Sequence, residues 1–238
     1  MAAPIQKIAR LAFHVFSRKQ FDGTFHEGLK SLKSMLNNIT SKELNFDVNS
    51  LKRNPTQFEE APVGYVSIWE DDVISIGVFV VKPNGRLPLH DHPGMHGLIR
   101  VIHGALNLKS FTETSGVGVP SDLNRKLTTP QEKSLLKPAV LVGESVVSTQ
   151  DECCVLTPTD GNIHEIRPVG ETVAFLDVLS PPYGDSKDCN YYSEMSVTES
   201  ENQGDGITWL LKIPSPADYW CETFDYTGPV IDEAQFDN

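Results

Sequence analysis

The stretch LPLHDHPGMHGLIRVIHG, residues 87–104, holds four of the chain's seven histidines, with His90 and His92 one residue apart. Successive side chains of an extended strand alternate between faces, so His90 and His92 share a face with backbones about 6.5 to 7 Å apart. Both rings can then reach one ion, while Asp91 faces the other way. An H-x-H beside a turn is by itself as readily two solvent-facing imidazoles as half of a metal site. A third imidazole changes that balance. His164 in LTPTDGNIHEI follows a turn at Pro158 and Gly161 and opens a new β run, which would deliver it to the mouth of a neighbouring strand. The expected chemistry is a metal held by three neutral imidazoles. Imidazole suits iron, zinc, copper and nickel alike, so ligand type leaves the metal open.

The remaining histidines weigh less. His96 begins the next β run, His103 precedes Gly104 at its end, and His14 and His26 sit in a helical region, where polar or packing roles are expected. Of the four cysteines, Cys153 and Cys154 fall in a β run and read as packing residues, and none shows paired C-x-x-C zinc spacing. All four read as reduced thiols in a chain of 238 residues that is large enough to build its own core.

The elements that must position these groups follow from periodicity. Two helical patterns open the chain, at about residues 4–19 and 23–37. In the first, Ile5, Ile8, Leu11, Ala12, Val15 and Phe16 make an apolar face for docking on a domain. Its Lys7, Arg10, Arg18 and Lys19, with no acid before Asp22, also read as a mitochondrial transit signal. From Gly64 onward, short β-rich runs are separated by Gly, Pro, Asn and Asp. The gaps lack room for crossover helices, so antiparallel strands in a sandwich or barrel are expected, not a parallel sheet. Polar surface excursions are expected at 112–138 and 184–206, and a flexible tail at 229–238. The whole is expected to be a single domain with a helical segment over 1–40 and a barrel from about 60 to 228.

Lysine and arginine number 20 against 32 acidic residues, a formal charge of -12 that argues against nucleic acid as a partner. No apolar run has the length of a membrane span. A cytoplasmic monomer is the expectation.

The pair G-R-L-P-L-H-D-H-P and T-P-T-D-G-N-I-H resembles the two metal motifs of the cupins, small double-stranded β-barrels of jelly-roll type. The usual first cupin motif has a glutamate four residues after its second histidine. Here that place is His96, which removes a carboxylate ligand and points to the three-histidine branch, the thiol dioxygenases. Within that branch, LPLHDHPGMHGLIRVIHGALNLKSF, DGNIHEI, FLDVLSPPYG and DCNYY together are similar to the family of cysteamine dioxygenases and oxidases of N-terminal cysteine, with a likeness running from about Leu11 to Gly228.

That resemblance implies Fe(II) held by His90, His92 and His164, with O2 and either cysteamine or a protein or peptide with an N-terminal cysteine as substrates. Sulfinic acids would be the products, and oxygen sensing the cellular consequence. It further implies that Asp177 lies near the iron pocket, bonding a ligand or the substrate amine, and that Tyr183 could turn its hydroxyl towards the substrate. Cys189 and Tyr191 share a face in extended backbone, and the resemblance raises a thioether cross-link between them. Two other readings use the same histidines: a zinc hydrolase or isomerase with an open water position, and a non-catalytic cupin that binds a metal or ligand.

Overall fold

The computed structural model describes residues 2–18, 22–51, 60–184, 188–196 and 206–236. Lys19 of the basic opening, much of the 184–206 excursion and the last two residues of the expected tail lie outside the described residues. In chain order the elements are α1 (Pro4–Phe16), α2 (Gly23–Asn37), β1 (Val63–Glu70), β2 (Ser75–Val81), β3 (Leu87–Asp91), β4 (His96–His103), β5 (Ala105–Glu113), α3 (Ser121–Lys126), α4 (Pro130–Ser134), β6 (Leu136–Ser148), β7 (Cys154–Leu156), β8 (Ile163–Pro168), β9 (Val173–Ser180), β10 (Tyr191–Met195), β11 (Ile207–Ile213) and β12 (Cys221–Phe224).

Each helix starts where local chemistry permits. Pro4 sits in the first turn of α1, where its missing N–H has no partner to lose. The Asp22 carboxylate accepts the Phe25 N–H at 3.1 Å to cap α2. The first helix ends at Phe16, three residues short of the periodicity estimate.

The strands form a mainly β barrel of two sheets. One is open, in the order β12-β1-β2-β9-β4-β7, antiparallel except where β12 runs parallel to β1. The other, β10-β11-β6-β5-β8-β3, closes on itself through the pairing of Tyr191 with His90. Phe175, Ile99 and Val173 of the open sheet meet Leu87, Ile166 and Leu106 of the closed one in a shared core. The other face of the open sheet is covered by the helices: Ile5, Ile8 and Ala12 of α1 and Leu32 and Leu36 of α2 pack on Ile76, Val78, Leu176 and Val178. Burial on both faces explains why β2 and β9 read as near-continuous apolar runs and not as alternating patterns. Each large aliphatic side chain removed from water there contributes about 1.5 to 3 kcal/mol.

The apolar run GLIRVIHGALNLKSF supplies one strand to each sheet. The chain crosses between them at Gly104, whose φ is +69° and whose Cβ would stand 2.6 Å from the Thr172 carbonyl oxygen. Both features require glycine.

Polar composition hides structure in the two excursions. The first carries α3 and α4, the latter opened by a capping box between Thr129 and Glu132, and its end is already β6. The second contains β10, held between β3 and β11. Against the expectation of a flexible tail, Ile231 and Phe236 pack on the helical layer, and Gln6 exchanges two hydrogen bonds with the Asp232 backbone, at 3.1 and 2.7 Å. Phe236 is 2% exposed, its ring 5.2 Å from that of Phe13 and 5.5 Å from that of Trp69. Composition at a chain end reports polarity, and two apolar anchors, Ile231 and Phe236, suffice to dock it. Among the described residues no helix is long and apolar enough to cross a membrane.

Replacing Phe236 by alanine is therefore expected to lower the free energy of unfolding by about 3 kcal/mol, at the low end for a buried aromatic because a terminal segment can relax. A urea midpoint equal to that of the parent protein would show that the tail does not dock.

Candidate metal centre

Strands β3 and β8 are antiparallel with His90 directly opposite His164. A register shift between Leu87 and His90 adjusts the strand just ahead of the first histidine. His92 follows the last residue of β3 and is clamped by Asn162, which accepts its N–H at 3.3 Å and donates to its carbonyl at 2.7 Å. The three rings form a near-equilateral set, with centroids 4.7 to 4.8 Å apart, and all three residues are buried.

Hydrogen bonds on the far side of two rings assign their tautomers. His90 Nδ1 lies 2.7 Å from the Pro88 carbonyl oxygen and must donate to it. The Tyr183 hydroxyl donates to the Asp91 carbonyl at 2.6 Å, so its oxygen accepts from His92 Nδ1 at 2.9 Å. Both rings then carry a lone pair on Nε2. Burial holds all three imidazoles below the ordinary histidine range, and for His92 and His164 well below it. His92 Nε2 stands 3.2 Å from His164 Nε2. Two ligands each about 2.0 to 2.1 Å from one ion have this spacing, and without an ion a His164 Nε2–H bridges it as a hydrogen bond. The donor set fits a divalent metal, and partners such as the Pro88 carbonyl and Tyr183 are of the kind that fix ligand orientation.

The centre lies in a cavity of about 220 Å³. Phe79, Ile99 and Phe175 of the open sheet form one wall, Leu87 and Ile166 of the closed sheet another, and Asp177, Tyr183, Cys189, Tyr191 and Tyr219 supply polar groups. Every residue expected at the site is therefore on this cavity, although their arrangement differs from expectation in detail. Asp177 occupies an inward position of β9, opposite Ile99 and Gly77, and bonds none of the histidines among the described residues. With no cation beside it among the described residues, burial pushes its carboxyl up to about 7. Tyr183 spends its hydroxyl on Asp91 and His92 and not on open cavity space. Cys189 is a free thiol on the same lining, close to the hydroxyls of Tyr183 and Tyr191. Burial pushes that thiol up to about 11 and the Tyr191 phenol up to about 12.

Asp91, which faces away from the histidines as alternation requires, is the anchor for this side. Its buried carboxylate accepts the Asn190 N–H and side-chain amide, both at 3.0 Å, and the Tyr192 hydroxyl at 2.7 Å. Cys189 and Tyr191 are thereby held beside His90.

His96 takes no part. It lies on the helical side of β4, between the rings of Phe16 and Phe25 at 5.8 and 5.2 Å, while Ile99 of the same strand faces the cavity. Cys153 is buried and Cys154 half-buried, with thiols pushed up by burial. His14 and His26 are exposed on the helices, and His103 lines a different groove. Sequence reasoning passed over Asn162, Asn190, Tyr192 and Tyr219. The first three stand next to or within quoted motifs, but Tyr219 had no local signal.

Residues 35–231 match the family described as PCO_ADO. The chain is 34% identical to the 2-aminoethanethiol dioxygenase of Mus musculus and 32% identical to that of Homo sapiens, in each case over 97% of both chains. It is 26% identical to plant cysteine oxidase 2 of Arabidopsis thaliana over 98% of this chain and 85% of that one.

Two outcomes follow from this geometry. Tyr183→Phe removes the acceptor of the His92 Nδ1 proton and is expected to weaken Co(II) binding about tenfold, measured by calorimetry. In the metal-free protein, Asp177 has a folded pKa above its unfolded value. The folded state therefore binds the extra proton between about pH 4 and 7, and stability falls as pH rises through that window. Asp177→Asn should be more stable than the parent by about 1 to 2 kcal/mol above pH 7.5, the advantage fading towards pH 4. A difference independent of pH in thermal melts would refute the assignment.

Proposed function

The chain belongs to the PCO_ADO family, and from that membership we propose that it inserts both atoms of O2 into the sulfur of cysteamine, giving hypotaurine, and of N-terminal cysteine, giving cysteine sulfinic acid. It is an enzyme of the thiol dioxygenase class. The proposed metal is Fe(II), held by His90, His92 and His164. The observation that carries the reading is the convergence of these three buried imidazoles in a cavity of small-molecule size. Fe(II), when bound, supplies the redox chemistry that joins a thiol sulfur to dioxygen.

The chain's own residues supply the rest. Three neutral imidazoles add no negative charge, so a divalent ion held by them would keep its full charge and would favour the substrate as its thiolate. The Pro88 carbonyl and Tyr183 hold the rings of His90 and His92 in the tautomers that present Nε2. Asp177 faces the cavity without a protein cation, and we assign it to the ammonium group that cysteamine and N-terminal cysteine share. A bound ammonium would draw its raised pKa back down and leave it ionised. Phe79, Ile99 and Phe175 exclude water from the reacting sulfur. Cys189 and Tyr191, close together on the cavity lining, are the pair we assign to a thioether cross-link, its C–S bond replacing the thiol S–H and one ring C–H as O2 takes up the two hydrogens. We extend the proposal to an oxygen-sensing role through N-terminal cysteines of proteins, carried out by a cytoplasmic monomer.

Anaerobic loading with Fe(II), then O2 with either cysteamine or a Cys-initiated peptide, is expected to add about 32 Da to each thiol, the two-oxygen rung of sulfur oxidation. His164→Ala should lower kcat/KM at least about a hundredfold on both. Stoichiometric zinc in the active protein with no thiol-dependent oxygen uptake would overturn the proposal in favour of zinc chemistry.

A further inference from the structure

Cysteamine and an N-terminal cysteine present the same aminoethanethiol unit, but the peptide adds a carbonyl and a chain on the carbon that bears the amine. A cavity of about 220 Å³ has room for roughly seven waters at about 30 Å³ each, enough for the shared unit and not for a chain. The chain must leave past the part of the lining that reaches solvent. The histidines are buried, whereas Tyr191 and Tyr219 are half-buried and stand together at the rim, with ring centroids 5.7 Å apart.

Their rings are tilted 54° to one another, which sets the Tyr219 hydroxyl close to that of Tyr191. From there the Tyr219 O–H can turn to an arriving carbonyl.

Tyr219 comes from the connection between β11 and β12, far in sequence from the histidines, and a specific contact fixes it there. Arg86 Nη2 meets both carboxylate oxygens of Asp218 at 3.0 Å. Arg86 immediately precedes β3, the strand that carries His90. The ion pair thus ties the rim residue to the metal-bearing strand. The Asp218 side chain is 67% exposed, so the tie is worth at most about 1 kcal/mol and can yield to a substrate.

We propose that Tyr219, set against Tyr191 by the Arg86–Asp218 ion pair, donates its hydroxyl to the first peptide carbonyl of a Cys-initiated substrate and so determines selectivity for peptide over cysteamine. The proposal rests on the thiol dioxygenase reading and deepens it.

The test uses the Fe(II)-loaded protein and its Tyr219→Phe variant, which keeps the ring and loses the hydroxyl. The ratio of kcat/KM for a Cys-initiated peptide to that for cysteamine is expected to fall about tenfold, through the peptide KM and not its kcat. Anaerobic binding of the same peptide, fluorescein-labelled and followed by anisotropy, should weaken by a similar factor. Asp218→Asn should lower the ratio two- to threefold. A Tyr219→Phe protein with the parent ratio, or with equal losses on both thiols, would overturn the inference. A parent protein that oxidises neither thiol would instead refute the underlying reading.

Discussion

The antiparallel register that sets His90 opposite His164 is the constraint on which the site depends. A slip of one residue would turn one histidine out of the barrel, because strand side chains alternate between faces. With that register, a third ring placed just beyond the end of β3 completes a set of nitrogens close enough to share one cation. Burial adds to the same effect. It keeps the imidazoles neutral and therefore available as ligands.

Holding such a site requires rigid support on both sides of the open sheet. The helical layer does this for β2, β9 and β4 by burying the face that points away from the cavity. The inward face can then carry groups chosen for the site, including a carboxylate at Asp177 in a strand otherwise almost wholly apolar. On the closed sheet the buried Asp91 carboxylate does comparable work, binding Asn190 and Tyr192 and holding the segment with Cys189 and Tyr191 beside His90. One residue of the H-x-H stretch thus faces away from the centre and still organises its other wall.

The cavity is stiff at its base and looser at its rim. Its base consists of paired strands with buried side chains, whereas the Tyr219 segment is tied by an ion pair that is mostly in water. That gradient suits a site that orients a small reacting unit closely while leaving one exit for whatever the unit is attached to.

Much of this was legible in the chain alone. The H-x-H spacing and the turn before His164 identified the three imidazoles because strand alternation and turn chemistry are local rules. Short β runs broken by Gly, Pro, Asn and Asp pointed to antiparallel strands in a sandwich or barrel, and the spacing of Ile5, Ile8, Ala12 and Val15 identified a helix that docks. What local rules could not supply was partnership. The strand β10 within a polar stretch exists because β3 and β11 flank it, and the tail packs because Gln6 and Phe13 wait for it. Tyr219 reaches the cavity from far along the chain, packed on the shared core and next to Asp218, which Arg86 holds. Which nitrogen each histidine presents was likewise decided by the Pro88 carbonyl and the Tyr183 hydroxyl in the folded protein. Spacing determines which way a side chain points along its own strand, but what it meets there depends on contacts that only closure of the barrel creates.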